Sequence, residues 1–328
     1  MNREQPKMPG SRPELWSGYT SVSKLGSGTI SSRRPIHGLA ALAAPIGLGG
    51  CRAVLLDPQG PIAAAETAIL FNALAVMLVI VIPTILATLA FAWWFRASNT
   101  AARYRPAFVY SGRIELVTWS IPILAIVFLG GLTWVGSHRL DPAEPLKSAT
   151  PAVTVEVVSM DWKWLFIYPD QGVASVNDLV VPAGTPIHLR LTSASVMNTF
   201  FVPQLGGMIY TMNGMANDLY LQADRPGVFA GRSAHFSGDG FSDMTFNVRA
   251  VSPAQFADWV ARTGRNGPIL DPAAYAALAR QSPHVAAYTY RGVSPTLFED
   301  VVRQRIAPGP GPEATLAPPQ PPQDGKRF

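Results

Sequence analysis

The sequence predicts a membrane protein in which two transmembrane α-helices are followed by an all-β outer domain and short C-terminal helices. Three observations support this prediction. Only 14% of the 328 residues are charged and 48% are hydrophobic, a composition that favours the membrane class. Two long runs contain no charged residue. After Pro151 the sequence changes to short β-rich runs separated by Pro, Gly, Asn and Asp.

The formal net charge of +5 is concentrated near the N-terminus. Residues 1–50 hold six basic and two acidic residues, which account for four of the five net charges. The rest of the chain is nearly neutral, and it has no stripe of Lys and Arg interleaved with aromatic residues. The charge pattern therefore predicts no nucleic-acid partner.

Residues 1–50 are predicted to be a lipoprotein signal peptide. A basic segment precedes an uncharged apolar run at 38–50, which is too short to cross a bilayer. The run leads into the sequence Leu-Gly-Gly-Cys, which resembles the lipobox of bacterial lipoproteins. We therefore expect Cys51 to be the lipid-modified mature N-terminus, the alternative being an incidental cysteine. Because the basic segment is unusually long, Met8 is an alternative start.

The chain contains one cysteine, Cys51. A single cysteine excludes a disulfide within the chain. It also excludes any metal site that requires two thiolates, which limits the metal chemistry open to the outer domain.

Two uncharged runs are predicted to be transmembrane helices. The first covers residues 67–95 and the second covers residues 116–137, and each is long enough to cross the hydrocarbon core of a bilayer. Each run contains one proline, which a membrane helix tolerates as a kink. Tryptophans lie near the ends of the runs, as an interfacial aromatic belt requires. They are Trp93, Trp94, Trp119 and Trp134.

The loop between the two runs, residues 96–115, contains four arginines. Because positively charged loops stay in the cytoplasm, segment 51–66 and everything after the second helix are predicted to face the periplasm of a bacterial inner membrane. The lipobox agrees, since lipid-modified cysteines are presented on the outer face. Glu115 lies at the cytoplasmic mouth of the second helix, where its carboxylate either exchanges protons or only favours the helix start.

Residues 151–251 are predicted to form a β-sandwich or barrel of roughly 100 residues. In the run around His188 and Arg190, alternation buries the aliphatic residues and turns these two side chains outward. The predicted strands are 153–158, 178–181, 187–192, 218–221, 228–235 and 244–248.

The region after the predicted sandwich, residues 252–306, is expected to be helical. The segments 254–263 and 297–306 are the predicted helices, and both are expected to lie on the sandwich or on a large partner subunit. Residues 307–328 are rich in proline and polar residues and are predicted to be disordered, with no function assigned.

Several stretches carry a family resemblance. They are Cys51 followed by Leu55-Leu56-Asp57-Pro58, Phe91-Ala92-Trp93, Arg96-Ala97-Ser98-Asn99, Val157-Val158-Ser159-Met160-Asp161-Trp162-Lys163-Trp164 with Ile167-Tyr168-Pro169, and Ser195-Val196-Met197-Asn198. Together they resemble subunit II of cytochrome bo-type ubiquinol oxidases, from about residue 51 to about residue 305. The resemblance implies that the outer domain is cupredoxin-like.

The resemblance also implies a lost copper site. Related cytochrome c oxidases bind a dinuclear copper centre through a His on an earlier loop and a Cys-x3-Cys-x3-His-x2-Met run. Without gaps, these ligand positions correspond in this sequence to Asn198, Ser233, Ser237, Phe241 and Met244. Only the methionine is a copper ligand, because serine hydroxyls cannot replace bridging thiolates and phenylalanine has no lone pair. We therefore expect no metal, cofactor or catalytic site in this chain.

Three further residues have positions implied by the resemblance. His235 stands where the copper-bearing relatives have a glutamate that helps to bind magnesium, but a single histidine predicts a hydrogen-bonded or exposed side chain rather than a metal ligand. Trp162 and Trp164 belong in those relatives to an aromatic cluster near the point where electrons enter. In this chain they are expected to pack in the core on one face of a strand.

The resemblance implies a non-catalytic subunit of a proton-pumping quinol:oxygen oxidoreductase. Subunit I would hold two hemes, one copper and the ubiquinol site, subunits III and IV would be further partners, and cytochrome c would not be a donor. Glu115 would feed protons into the K channel of subunit I. The alternatives are a cytochrome c oxidase subunit II with a degenerate copper site and a stand-alone lipoprotein scaffold. The heme type and the quinone species stay open.

Overall fold

The computed structural model describes residues 54–103, 105–309 and 311. The predicted signal peptide and Cys51 lie outside these residues, as does the predicted tail from residue 312 onward.

Two long helices occupy the uncharged runs. Helix α1 covers Pro61–Trp94 and helix α2 covers Gly112–Arg139, and both are long and apolar enough to cross a membrane. Pro61 occupies the first turn of α1, where its missing N–H costs no hydrogen bond. The first turn of α2 holds Glu115 and its last turn holds basic residues, which is the charge order that the helix dipole favours.

The outer domain is a β-sandwich, as the sequence predicts. Its strands are β1 (Val153–Met160), β2 (Lys163–Tyr168), β3 (Val173–Val176), β4 (Asp178–Pro182), β5 (Pro186–Ser193), β6 (Asn198–Phe201), β7 (Ile209–Thr211), β8 (Asn217–Gln222), β9 (Gly227–Ser233), β10 (Thr245–Val251), β11 (Ile269–Leu270), β12 (Tyr288–Tyr290) and β13 (Gly292–Val293). A six-stranded sheet has the order β12-β3-β2-β1-β5-β8, and a five-stranded sheet has the order β4-β10-β9-β6-β7. Strands β11 and β13 form a small separate pair.

The main core lies between the two large sheets. Trp164 on β2 packs edge-on against Phe200 on β6, and both rings contact Phe246 on β10. Tyr168 is fully buried at the end of β2, and its hydroxyl donates to the carbonyl of Val180 and accepts from the N–H of the same residue. The aromatic side chains thus fill much of the space between the two sheets.

Short helices follow the sandwich. Helix α3 covers Pro253–Thr263 and packs Phe256 and Trp259 against Tyr168 of the main core. Helices α4 (Pro272–Leu278) and α5 (Leu297–Val302) pack on the other face of the six-stranded sheet, where they form a second apolar core.

Helix α1 is fastened to the sandwich by backbone hydrogen bonds. The N–H of Gln59 donates to the carbonyl of Gln204 at 2.8 Å, and the N–H of Asp224 donates to the carbonyl of Gln59 at 2.9 Å. Next to them, a Cβ atom on Gly60 would lie 2.1 Å from the carbonyl oxygen of Gln222. Glycine is therefore required where the helix meets the sandwich.

Candidate functional site

The five positions of the lost copper frame lie on β6, at the end of β9, and on the loop that connects β9 to β10. The hydroxyl of Ser233 donates a hydrogen bond to Oδ1 of Asn198 at 3.2 Å. This bond joins the start of β6 to the end of β9. The N–H of Ser233 donates to the carbonyl of Met244 at 3.0 Å. Asn198, Ser233 and Met244 are all buried. The fold therefore brings these positions together although they are far apart in sequence.

The second serine of the frame, Ser237, contacts Met244 and Trp162. Oγ of Ser237 lies 4.0 Å from Sδ of Met244, and the indole N–H of Trp162 donates to the Ser237 carbonyl at 2.8 Å. Phe241 is half-buried and packs its ring edge-on against Phe236, 5.6 Å between ring centroids. Trp162 packs in the main core, as expected, but it lies in the turn between β1 and β2 and not on the face of a strand. Its indole is held by the hydrogen bond to Ser237 in the loop between β9 and β10.

The donors in this frame do not fit a copper pair. A dinuclear copper centre needs soft bridging thiolates and imidazole nitrogens, whereas the frame offers two neutral hydroxyls, one amide and one thioether. The hydroxyls are also engaged, since Ser233 bonds Asn198 and Ser237 approaches Met244. Within the described ranges, no three His, Cys, Asp or Glu side chains are grouped closely enough to hold a metal ion.

His235 lies beside this frame and is half-buried. Its ring meets Tyr210 edge-on with 6.1 Å between ring centroids. Nδ1 is buried and has no hydrogen-bond partner among the described residues, so the prediction of a hydrogen-bonded or exposed ring is not met at this atom. Its carbonyl accepts a hydrogen bond from Ser233 at 3.3 Å.

His188 and Arg190 project from the outer face of β5, as the alternation predicts. Nε2 of His188 lies 2.8 Å from Oδ1 of Asp218, and its ring stacks on Tyr220. Arg190 bonds Glu156 at 3.2 Å on one side, which gives it a structural role in the sheet.

Glu115 lies in the first turn of α2 and is exposed. Its N–H donates to the carbonyl of Ser111 at 3.0 Å, and its carbonyl accepts from the hydroxyl of Thr118 at 3.1 Å. The sandwich follows the other end of the same helix. Glu115 and the copper frame are therefore two separate sites.

Sequence reasoning missed a buried polar network around Lys163. Nζ of Lys163 donates to the carbonyl of Arg280 at 2.6 Å and to the hydroxyl of Ser282 at 2.5 Å. Burial lowers the pKa of Lys163 to about 8, against a smaller opposing effect from Asp161. One carboxylate oxygen of Asp161 accepts from Gln281 at 3.2 Å. The available signal was the position of Lys163 directly before Trp164, because neighbouring residues on a strand point to opposite faces.

Comparisons with known proteins identify the family. A family model described as the periplasmic domain of cytochrome c oxidase subunit II matches residues 171–251. Subunit 2 of the cytochrome bo(3) ubiquinol oxidase of Pseudomonas aeruginosa is 46% identical over 262 residues, which cover 80% of this chain and 79% of that protein. Ubiquinol oxidase subunit 2 of Acetobacter aceti is 45% identical over 80% of this chain and 86% of its own length.

More distant proteins are similar in the same region. Quinol oxidase subunit 2 of Bacillus cereus is 38% identical over 70% of this chain and 79% of its own length. A solved periplasmic domain of cytochrome oxidase subunit II from Bradyrhizobium japonicum is 27% identical and covers 36% of this chain and 96% of its own, with a TM-score of 0.34. On the identity and coverage of the ubiquinol oxidase subunits, the chain belongs to the family of ubiquinol oxidase subunit 2, with two membrane helices and a periplasmic cupredoxin-like domain.

Proposed function

We propose that this chain is the non-catalytic second subunit of a proton-pumping quinol:oxygen oxidoreductase in an aerobic respiratory chain. The observation that carries the proposal is the buried copper frame, in which Asn198, Ser233, Ser237 and Phe241 replace all ligands except Met244. A domain with these donors cannot coordinate a soft copper pair. Electrons therefore reach the oxidase from a lipid-soluble quinol, at a site in subunit I.

The redox groups of the complex, two hemes and one copper, belong to subunit I in this proposal. The role of the present chain is to support that subunit and to deliver protons to it. Subunits III and IV are the further partners. A degenerate cytochrome c oxidase subunit and a stand-alone scaffold are both disfavoured by the similarity to ubiquinol oxidase subunits over 80% of the chain.

The donor is tested by oxygen uptake on the purified complex. We expect rapid uptake with ubiquinol, none with reduced cytochrome c, and no copper bound to the periplasmic domain. Heme extraction identifies the heme type in the same sample. Oxidation of cytochrome c, or one copper pair per periplasmic domain, would contradict the proposal.

Lipid attachment at Cys51 is part of the proposal, although this residue lies outside the described ranges. The lipobox-like sequence supports it. Mass spectrometry of the purified subunit is expected to find a diacylglyceryl-modified Cys51 as the first residue. An unmodified chain that retains residues before Cys51 would contradict this part and leave the donor assignment intact.

A further inference from the structure

A groove of about 620 Å³ lies between α1 and α2 in the half of the membrane that adjoins the sandwich. The helices touch beside it, because a Cβ atom on Gly136 would lie 2.8 Å from Cδ1 of Ile69. Further along α2 they separate, and a Cβ atom on Gly131 would meet no atom within 4 Å. The walls are almost wholly apolar, with Phe128 and Leu132 on one side and Ala68 on the other.

The length of the groove matches one leaflet of a bilayer. It extends along α2 from Phe128 to Arg139, a rise of roughly 16 Å at 1.5 Å per residue. Half of a hydrocarbon core is about 15 Å thick. Trp134 lies between these two residues, at a depth suited to the interfacial aromatic belt. The groove therefore begins near the headgroups and ends near the middle of the membrane.

One charged side chain lines the groove, and it lies at the headgroup end. Arg139 is exposed and forms no ion pair with any residue in the described part of the chain. A guanidinium at this depth matches a lipid phosphate in charge and in hydrogen-bonding geometry. An apolar helix of a partner subunit would fill the volume but would leave the guanidinium without an anion.

From this match we infer that the groove binds one phospholipid of the periplasmic leaflet. Its phosphate pairs with Arg139, and one acyl chain lies between α1 and α2 along Gly131 and Leu132. The bound lipid fills a gap that the two helices cannot close by themselves. Lipid binding here is independent of the electron donor, because none of these three residues belongs to the copper frame or to the proton site.

The test is photo-crosslinking of the purified complex in nanodiscs that contain phosphatidylglycerol with a diazirine at the end of one acyl chain. We expect labelled peptides from the deep end of the groove, around Phe128 and Leu132. Gly131→Leu fills the open space and abolishes this label. Gly130→Leu is the matched control: it adds the same side chain at the neighbouring glycine, which does not line the groove and also has open space around it.

The headgroup contact is tested separately by native mass spectrometry of the same complex. Arg139→Gln is expected to reduce retained phosphatidylglycerol by roughly fivefold, while Arg113→Gln at the cytoplasmic end of α2 leaves it unchanged. These variants keep the proposal testable if Gly131→Leu fails to assemble. Absence of label from the groove walls, or equal lipid retention in the two arginine variants, would overturn it.

Discussion

At the scale of single residues, Lys163 shows how a charge can be kept buried between a β-sheet and the C-terminal segment that covers it. Only 1% of its surface is exposed, yet its ammonium group has three oxygen acceptors from Asp161, Arg280 and Ser282. These bonds compensate part of the cost of burying the charge. The remaining cost is visible as a pKa lowered to about 8.

The lowered pKa gives a prediction for stability against pH. Unfolded Lys163 keeps its proton up to about pH 10.5, whereas the folded side chain loses it near pH 8. Between these values the unfolded state binds more protons, so the contribution of Lys163 to the free energy of unfolding rises with pH, by at most roughly 3 kcal/mol.

Urea unfolding of the detergent-solubilised chain, followed by tryptophan fluorescence at pH 7.5 and pH 10, measures this effect. The difference in stability between the wild type and Lys163→Met should shift in favour of the wild type at pH 10. A difference that does not change with pH would show that the ammonium group is not destabilised in the fold.

Gly60 is a second residue that affects the stability of the fold, because it has no side chain. We predict that Gly60→Ala lowers the free energy of unfolding by about 2–3 kcal/mol, because its Cβ atom would overlap the carbonyl oxygen of Gln222. Gly130→Ala, which has open space around it, serves as the control. Thermal unfolding measured by circular dichroism compares the two variants, and equal melting temperatures would contradict the prediction.

At the scale of elements, the C-terminal helices form a third layer over the six-stranded sheet. Helix α5 buries Leu297, Phe298 and Val301 in the second core. Arg190 on β5 reaches both Glu156 on β1 and Glu299 on α5, and its guanidinium lies over the Phe298 ring. Residues 253–302 are therefore an integral part of the periplasmic domain.

Arg190→Ala should destabilise the domain by about 1–3 kcal/mol. Burial already raises the pKa of Glu156, and removal of the guanidinium that opposes this effect would leave the half-buried carboxylate unpaired. Arg303→Ala is the matched control, since Arg303 also pairs with Glu299 but is largely exposed and should cost less than about 1 kcal/mol. Urea titration of both variants tests the difference, and similar losses would contradict it.

The third layer also explains which elements sequence reasoning could find. The long helices followed from uncharged runs, and β5 and β8 alternate between buried and partly exposed residues as a half-buried strand should. All six residues of β2 are buried, because the C-terminal helices cover its outer face. Without alternation the strand has no signature of period two, so the pattern does not predict it, although the resemblance placed Trp164 on a strand.

The candidate sites also differ in how much of them the sequence can predict. The copper frame could be located from ligand spacing, since the residues of a fixed run keep their order in the fold. The contacts inside it, such as the bond from Ser233 to Asn198, join residues 35 positions apart and depend on the pairing of β6 with β9. The partner of Lys163, Arg280, is 117 positions away and could not be inferred from local sequence.

At the scale of the whole molecule, the two ends of α2 serve different sides of the membrane. The helix has 28 residues and spans roughly 42 Å, with Glu115 at its start and the sandwich after its end. We predict that Glu115→Gln slows quinol oxidation by the complex by roughly tenfold without preventing assembly. This loss is smaller than the roughly 100-fold loss typical of a general base at the reacting atoms.

Glu144→Gln, an exposed acid after the other end of α2, is the control for that measurement. Oxygen uptake with saturating ubiquinol and the heme content of the purified complex should be compared for the two variants. Unchanged turnover in Glu115→Gln would mean that this carboxylate only favours the start of the helix.

The glycine contact between α1 and the sandwich has a mechanical consequence. With Gly60 packed against Gln222 and Gln59 bonded on two sides, the start of α1 is held directly against the sandwich. If α1 tilts within the bilayer, the periplasmic domain must then move with it.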